Sequence, residues 1–197
     1  MNKKINLIIG SGVLGAYLAL ELLKNKEEVI VTTRSIKKKI KNYHYLKIQK
    51  KVKFIKLDVS KKTKIKKIIN EFNPDKIFYF AGQSSLTKSL KDKKGTLLSH
   101  FEGTKNFLDI IKQENLKIKF FKANSGYIFS PRKGLIDLNC KFSSNSNPYI
   151  KAQQMTFKLI KKYRKFGLNL FNLVFMQIES PLRPKEFFIK KVCLGEK

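Results

Sequence analysis

Ile5-Asn6-Leu7-Ile8-Ile9-Gly10-Ser11-Gly12-Val13-Leu14-Gly15 decides how this chain reads. Residues 5–9 are a short apolar run that stops at a glycine, the mark of a buried strand. From Val13 onward, apolar residues at 13, 14, 17, 18, 20, 22 and 23 recur at helical spacing. Between the two lies GxGxxG. Its glycines permit a tight turn, a close approach of a pyrophosphate to the backbone, and close packing of helix on strand. The unpaired N–H groups at the helix start then face the phosphates. In isolation the pattern also fits a turn that merely packs a helix on a strand. Its place at the head of a strand–helix alternation makes it a dinucleotide signal.

That alternation continues outward. Residues 28–33 are β-branched and strand-like, 52–57 read as a third strand, and Ile65, Ile68, Ile69 and Phe72 set a helix over 61–72. Asn73-Pro74-Asp75 stops that helix. A fourth strand follows at 76–80, a helix at 96–112 with Phe101, Thr104, Phe107, Leu108 and Ile111 inward, a fifth strand at 118–123, a helix at 149–166, and a sixth strand at 168–176. Residues 35–51 read as a lysine-rich loop with one helical turn, and 139–148 as a surface loop. The predicted fold is α/β, a Rossmann-type doubly wound parallel sheet flanked by helices. Residues 1–176 form its dinucleotide-binding domain. Residues 177–197 open a substrate-binding region that stops short.

The 197 residues suit one domain, and no run approaches the ~20 apolar residues of a membrane span. Met1-Asn2-Lys3-Lys4 precedes too short an apolar stretch for a signal peptide, so a cytoplasmic, membrane-free protein is expected. Cys140 and Cys193 form no CxxC, and His44 and His100 have no metal-ligand spacing, so neither a disulfide framework nor a metal is expected. The net charge of +29 would attract phosphate-rich partners. The lysines are scattered, however, and no nucleic-acid motif accompanies them. The abundance of Lys, Ile, Asn and Phe reads as compositional drift, with no specific nucleic-acid partner.

Arg34 ends the second strand, where an acidic residue would hold the ribose 2′-hydroxyl of NAD and an Arg accommodates the 2′-phosphate of NADP. Arg34 leans the choice to NADP; a solvated arginine is the plain alternative. Asp58, after the third strand, is placed to meet an adenine amino group or to cap the following helix.

Several stretches then carry a resemblance. They are Gly12-Val13-Leu14-Gly15-Ala16-Tyr17-Leu18-Ala19, Thr33-Arg34-Ser35, Leu57-Asp58-Val59-Ser60, residues 73–85 with their Ala81-Gly82-Gln83-Ser84-Ser85 exit, Glu102–Leu108, and Glu179-Ser180-Pro181-Leu182-Arg183-Pro184-Lys185-Glu186-Phe187-Phe188-Ile189. Across nearly the whole chain, they are similar to the extended short-chain dehydrogenase/reductases, and within these to the GDP-mannose 4,6-dehydratase family. The resemblance implies NADP, with NAD second, held by Gly10, Gly12, Val13, Leu14, Gly15, Arg34, Asp58, Val59, Ala81, Gln83, Tyr149 and position 153. It implies a sugar nucleotide such as GDP-mannose near Ser84, Glu179 and Arg183. It also implies a homodimer or homotetramer formed through the 96–112 and 149–166 helices.

The family reaction takes hydride from the sugar C4, removes water across C5 and C6, and returns the hydride to C6. The resemblance places Ser125 and Tyr149 in catalytic positions. A phenol of pKa about 10 needs a nearby cation to ionise near neutrality. The family's lysine lies four residues past the Tyr, on the same helix face; here that residue is Gln153, while Lys151 points elsewhere. The acid/base Glu is replaced by Tyr127. His100 falls near the family's active-site Asn and reads as a surface or half-buried histidine. The expectation is a dehydratase-like protein of impaired activity. A noncatalytic Rossmann scaffold and another sugar-nucleotide epimerase or reductase remain as alternatives.

Overall fold

The computed structural model describes residues 3–36, 40–137 and 139–195. Six strands run β1 (Ile5–Ile9), β2 (Glu28–Thr33), β3 (Lys53–Lys56), β4 (Lys76–Tyr79), β5 (Lys119–Ser125) and β6 (Leu170–Phe175). They pair all-parallel in the order β3-β2-β1-β4-β5-β6. Between them come α1 (Val13–Lys24), α2 (Lys41–Tyr45), α3 (Lys62–Phe72), α4 (Leu86–Lys91), α5 (Lys93–Leu97), a π turn (Leu98–Glu102), α6 (Gly103–Gln113) and α7 (Pro148–Arg164). A short α8 (Phe188–Cys193) follows β6.

The period-2 side-chain alternation of a strand divides β1 between two cores. Leu7 and Ile9 join Ile65, Ile69, Phe107, Leu108 and Ile160 of α3, α6 and α7 on one face. Ile8 joins Ala16, Ala19, Val29, Val31 and Tyr43 on the other. A sheet buried on both faces needs apolar residues at both parities, which is why β1 and β2 are near-continuous hydrophobic runs.

The strand order turns around between β1 and β4. At such a switch point the loops leave in opposite directions and open a crevice at the carboxyl ends of the strands. The turn after β1 and the Phe80–Gly82 exit of β4 border that crevice. Their backbones approach so closely that a Cβ on Gly10, whose φ is +107°, would meet the Ala81 backbone nitrogen at 2.8 Å.

Four sequence expectations change. The 96–112 helix is broken, because Leu98–Glu102 widens into a π turn before α6 resumes. The wider turn carries His100 inward; its exposure is 4 %, so it is buried, not a surface or half-buried residue. Helix α4 had no counterpart in the reading; Ser85 starts it, its hydroxyl accepting from the Lys88 N–H at 3.2 Å. Asp58 does not cap α3, whose N-cap is Lys61 with no side-chain bond. Of the 35–51 stretch, 41–45 is helical, while residues 37–39 lie outside the described residues, as do Met1, Asn2, Leu138 and the last two residues. No helix among the described residues is long and apolar enough to cross a membrane.

Candidate functional site

The crevice is a cleft of about 630 Å³. Its floor is the glycine turn. Gly12 is exposed, and a Cβ there would meet nothing within 4 Å, so a ligand can approach the backbone. At Gly15 the opposite holds: a Cβ would collide with the Gly10 carbonyl oxygen and press on Ile8 and Tyr43 at 3.3 Å. Gly12, at the cap of α1, therefore leaves space, and Gly15, in its first turn, closes it. Helix α1 starts with no side-chain cap and no acidic residue in its first turn. Its leading N–H groups remain free for an anion and meet the positive end of the helix dipole. This cradle fits a pyrophosphate.

Val13, Leu14, Ala81 and Ser84 join Gly12 and Gly15 in the wall. Gly10, Gln83, Arg34, Asp58 and Val59 do not. Gly10 forms the β1–β4 approach described above. The Gln83 side chain is bonded to the Ser85 backbone on both its amide atoms, bracing the loop. Val59 is a core residue whose carbonyl accepts from Asn106 at 3.0 Å. Arg34 stands exposed at the end of β2. Asp58 lies at the end of the neighbouring β3, its carboxylate accepting the Ser60 N–H at 2.9 Å. That bond, with the positive charges of Lys61 and Arg34, holds the Asp58 carboxyl below its usual range.

On the far side, β5 and α7 bring Ser125, Tyr127, Tyr149 and Gln153 to the same cleft. Ser125 ends β5 and its hydroxyl accepts from the Tyr127 N–H at 3.2 Å. Tyr127 is 59 % exposed, at the mouth. Asn147 caps α7 and Pro148 follows it, so Tyr149 sits in the first turn with its N–H on the Asn147 carboxamide oxygen at 2.9 Å. Gln153, one turn on, is 4 % exposed, and its Oε1 is buried without a partner among the described residues. Lys151 points to solvent. Glu179 and Arg183 line the outer wall; they face each other at 3.7 Å, and the Arg183 guanidinium stacks on the Phe187 ring at 3.9 Å.

Two buried bases complete the interior. The His100 ring stands edge-on to Tyr149, with centroids 5.4 Å apart, and its Nε2 lies 2.8 Å from the Gln83 carbonyl oxygen. A carbonyl only accepts, so Nε2 carries the hydrogen and Nδ1 presents a lone pair, buried without a partner. Burial, reinforced by the charge of Lys122, pushes His100 down to about 3, so it is neutral. A Cβ on Gly82, whose φ is +141°, would run into this ring. Lys122 of β5 is 1 % exposed, lines the cleft, and donates from Nζ to the Ala123 carbonyl oxygen. Burial pulls its amine down to about 7. The sequence reading passed over Lys122. Its signal was the alternation Phe120, Lys122, Asn124, which places a lysine on the inward face of a strand.

Among the described residues, no three His, Cys, Asp or Glu side chains gather as a metal site would require.

A parallel sheet in the order 3-2-1-4-5-6, a glycine turn at its switch point and a Tyr-bearing helix beside it define the class of Rossmann proteins built like the extended short-chain dehydrogenase/reductases. The family model for GDP-mannose 4,6 dehydratase matches residues 7–195, and the chain belongs to that family. A GDP-mannose 4,6-dehydratase from Vibrio cholerae is 25 % identical, over 99 % of this chain and 55 % of its own length. The Cricetulus griseus GDP-mannose 4,6 dehydratase is 28 % identical, over 96 % of this chain and 54 % of its own. The chain thus spans about half the length of these curated relatives. Among solved structures, a UDP-glucuronic acid 4-epimerase from Bacillus cereus, in complex with UDP-glucuronic acid and NAD, superposes with a TM-score of 0.85 at 19 % identity. It covers 98 % of this chain and 64 % of that one.

Proposed function

We propose that this chain is the dinucleotide-binding part of a sugar-nucleotide dehydratase-like protein, that it binds NADP in preference to NAD, and that its dehydratase activity is impaired. The observation that carries the reading is the opposed pair of glycines: Gly12 leaves room for a ligand where Gly15 leaves none. In this reading the free N–H groups of α1 hold the pyrophosphate. Arg34 takes the 2′-phosphate and Asp58 the adenine amino group. A nicotinamide dinucleotide bound there would supply the hydride transfer. Ser125 bonds the sugar C4 oxygen, and Tyr149 removes its proton. Residues 177–195 begin the wall for a sugar nucleotide such as GDP-mannose, with Ser84, Glu179 and Arg183 contributing.

Impairment follows from two side chains. Removing water from C5 and C6 needs a base and an acid in reach. Tyr127 offers a phenol where a carboxylate would serve. Gln153 offers no charge beside Tyr149. These two positions also favour a second reading, a noncatalytic cofactor-binding scaffold.

Calorimetric titration with NADP, NADPH and NAD, at low and moderate salt, tests the proposal. Saturable binding that prefers the 2′-phosphorylated forms and persists at moderate salt is expected. Binding that vanishes with salt would assign it to the +29 net charge and refute the site. Turnover of GDP-mannose, absent in the binding-competent chain, separates the scaffold from the enzyme.

A further inference from the structure

The cleft contains an unbalanced set of polar atoms. Gln153 Oε1 and His100 Nδ1 are both buried, both acceptors, and both without a partner among the described residues. A buried acceptor left empty is costly, so two of them in one cleft point to a missing donor. On the facing strand stands a buried amine with donors to spare. An ammonium carries three hydrogens, and Lys122 has one contact to a carbonyl, that of Ala123. Its Nζ also lies 5.4 Å from the centroid of the Tyr79 ring, a contact that uses none of its hydrogen-bond donors. Lys122, His100, Gln153 and Tyr149 all line the one cleft.

Resting on the reading of this cleft as a dinucleotide site, we propose that Lys122 is the cation of the site, supplied from strand β5 in place of one on helix α7, and that it holds a ribose hydroxyl of the dinucleotide. A ribose hydroxyl both accepts and donates. It can take a hydrogen from Lys122 Nζ and give its own to Gln153 Oε1, satisfying the two spare groups together. The other titratable groups around Lys122 are Tyr79 on β4, His100 on the π turn and Tyr149 on α7. Tyr127, Glu179, Arg183 and Glu186 line the rest of the cleft.

Burial pulls the Lys122 amine to about 7, so its charge responds to what enters. An anionic dinucleotide favours the ammonium. Binding at pH 8 is therefore accompanied by proton uptake, read as a dependence of the calorimetric heat on the ionisation enthalpy of the buffer.

The test compares NADP binding by the wild-type chain, Lys122→Gln, and Lys122→Gln combined with Gln153→Lys. The single variant is expected to bind roughly tenfold or more weakly, as the loss of a charge-assisted hydrogen bond implies, and to lose the proton uptake. The double variant, which returns the charge to the helix, is expected to recover affinity. A lysine with only a structural role would not be rescued from a different element. A single variant that binds as the wild type does, with unchanged proton uptake, overturns the proposal while leaving the dinucleotide site intact. A wild-type chain that binds no dinucleotide overturns the site itself, and this proposal with it. Should Lys122→Gln fail to fold, ε-13C-lysine NMR on the wild-type chain decides. The Lys122 resonance, titrating near neutrality, must shift when NADP is added, and an unmoved resonance refutes the assignment.

Discussion

Replacing Lys122 by Met should make this protein more stable at neutral pH, by an amount that disappears as the solution becomes basic. Lys122 is buried among Tyr79, His100 and the β5 backbone, and burial lowers its amine from 10.5 to about 7. Between those values the unfolded chain holds a proton that the folded chain lacks. Stability therefore rises with pH over that window and lies at its low plateau below about 7. At about 1.4 kcal/mol per pH unit, the interval from 10.5 to about 7 amounts to roughly 5 kcal/mol of destabilisation at neutral pH. Met removes that burden, fills a similar volume, and forfeits the hydrogen bond to Ala123, worth about 1 kcal/mol or somewhat more when charged. The expected net gain is on the order of 2–4 kcal/mol at pH 7, shrinking toward zero near pH 10.5. Urea unfolding of both proteins at pH 6.5, 8, 9 and 10 reads the difference, and the other lysines cancel in the comparison. A variant less stable than wild type at pH 7, or a gain that stays constant with pH, would refute the reasoning. A stabilising substitution that weakens dinucleotide binding is the pattern expected where function has placed a charge in a core.

Three other outcomes follow from the same geometry. Gly12→Val should leave the melting temperature within a few degrees of wild type yet abolish dinucleotide binding, whereas Gly15→Val should fail to fold stably, because its Cβ meets the Gly10 carbonyl; thermal melts with and without NADP distinguish them. His100, held down to about 3 against 6.5 in the unfolded chain, contributes stability that is present above 6.5 and is lost as pH falls toward 3. His100→Asn should therefore flatten the fall in urea-measured stability between pH 6.5 and 4.5 by up to about 1.4 kcal/mol per pH unit. Tyr127→Glu, at a 59 % exposed position, should change unfolding free energy by no more than about 0.5 kcal/mol; a larger loss in chemical denaturation would mean that this mouth residue supports the loop it sits in.

Much of the architecture was legible because it is written in periodicity. Leu7, Ile8 and Ile9 are apolar at both parities, and only a strand covered on both faces asks for that. Ile65, Ile68 and Ile69 stand at helical spacing and bury together in α3. Asn147-Pro148 announces the start of α7, and the glycines after β1 announce the turn. Such signals are local, since a few neighbouring residues carry each of them.

The sequence by itself therefore determined the alternation of strands and helices, the glycine turn, and the helix that sets Gln153 one turn past Tyr149. Tertiary structure alone decided which polar residues face the cleft from elements far apart in the chain. His100 resembled a helix-surface residue until the π turn rotated it under Tyr149 and against the Gln83 carbonyl. Lys122 was one lysine among many until the sheet placed β5 against β4 and left its amine buried in the cleft wall. The physical reason is the range of the interactions. A hydrophobic repeat is satisfied by any apolar neighbour and can be read residue by residue. The charge and hydrogen-bonding state of a buried group depend on the few specific atoms that the fold brings within reach.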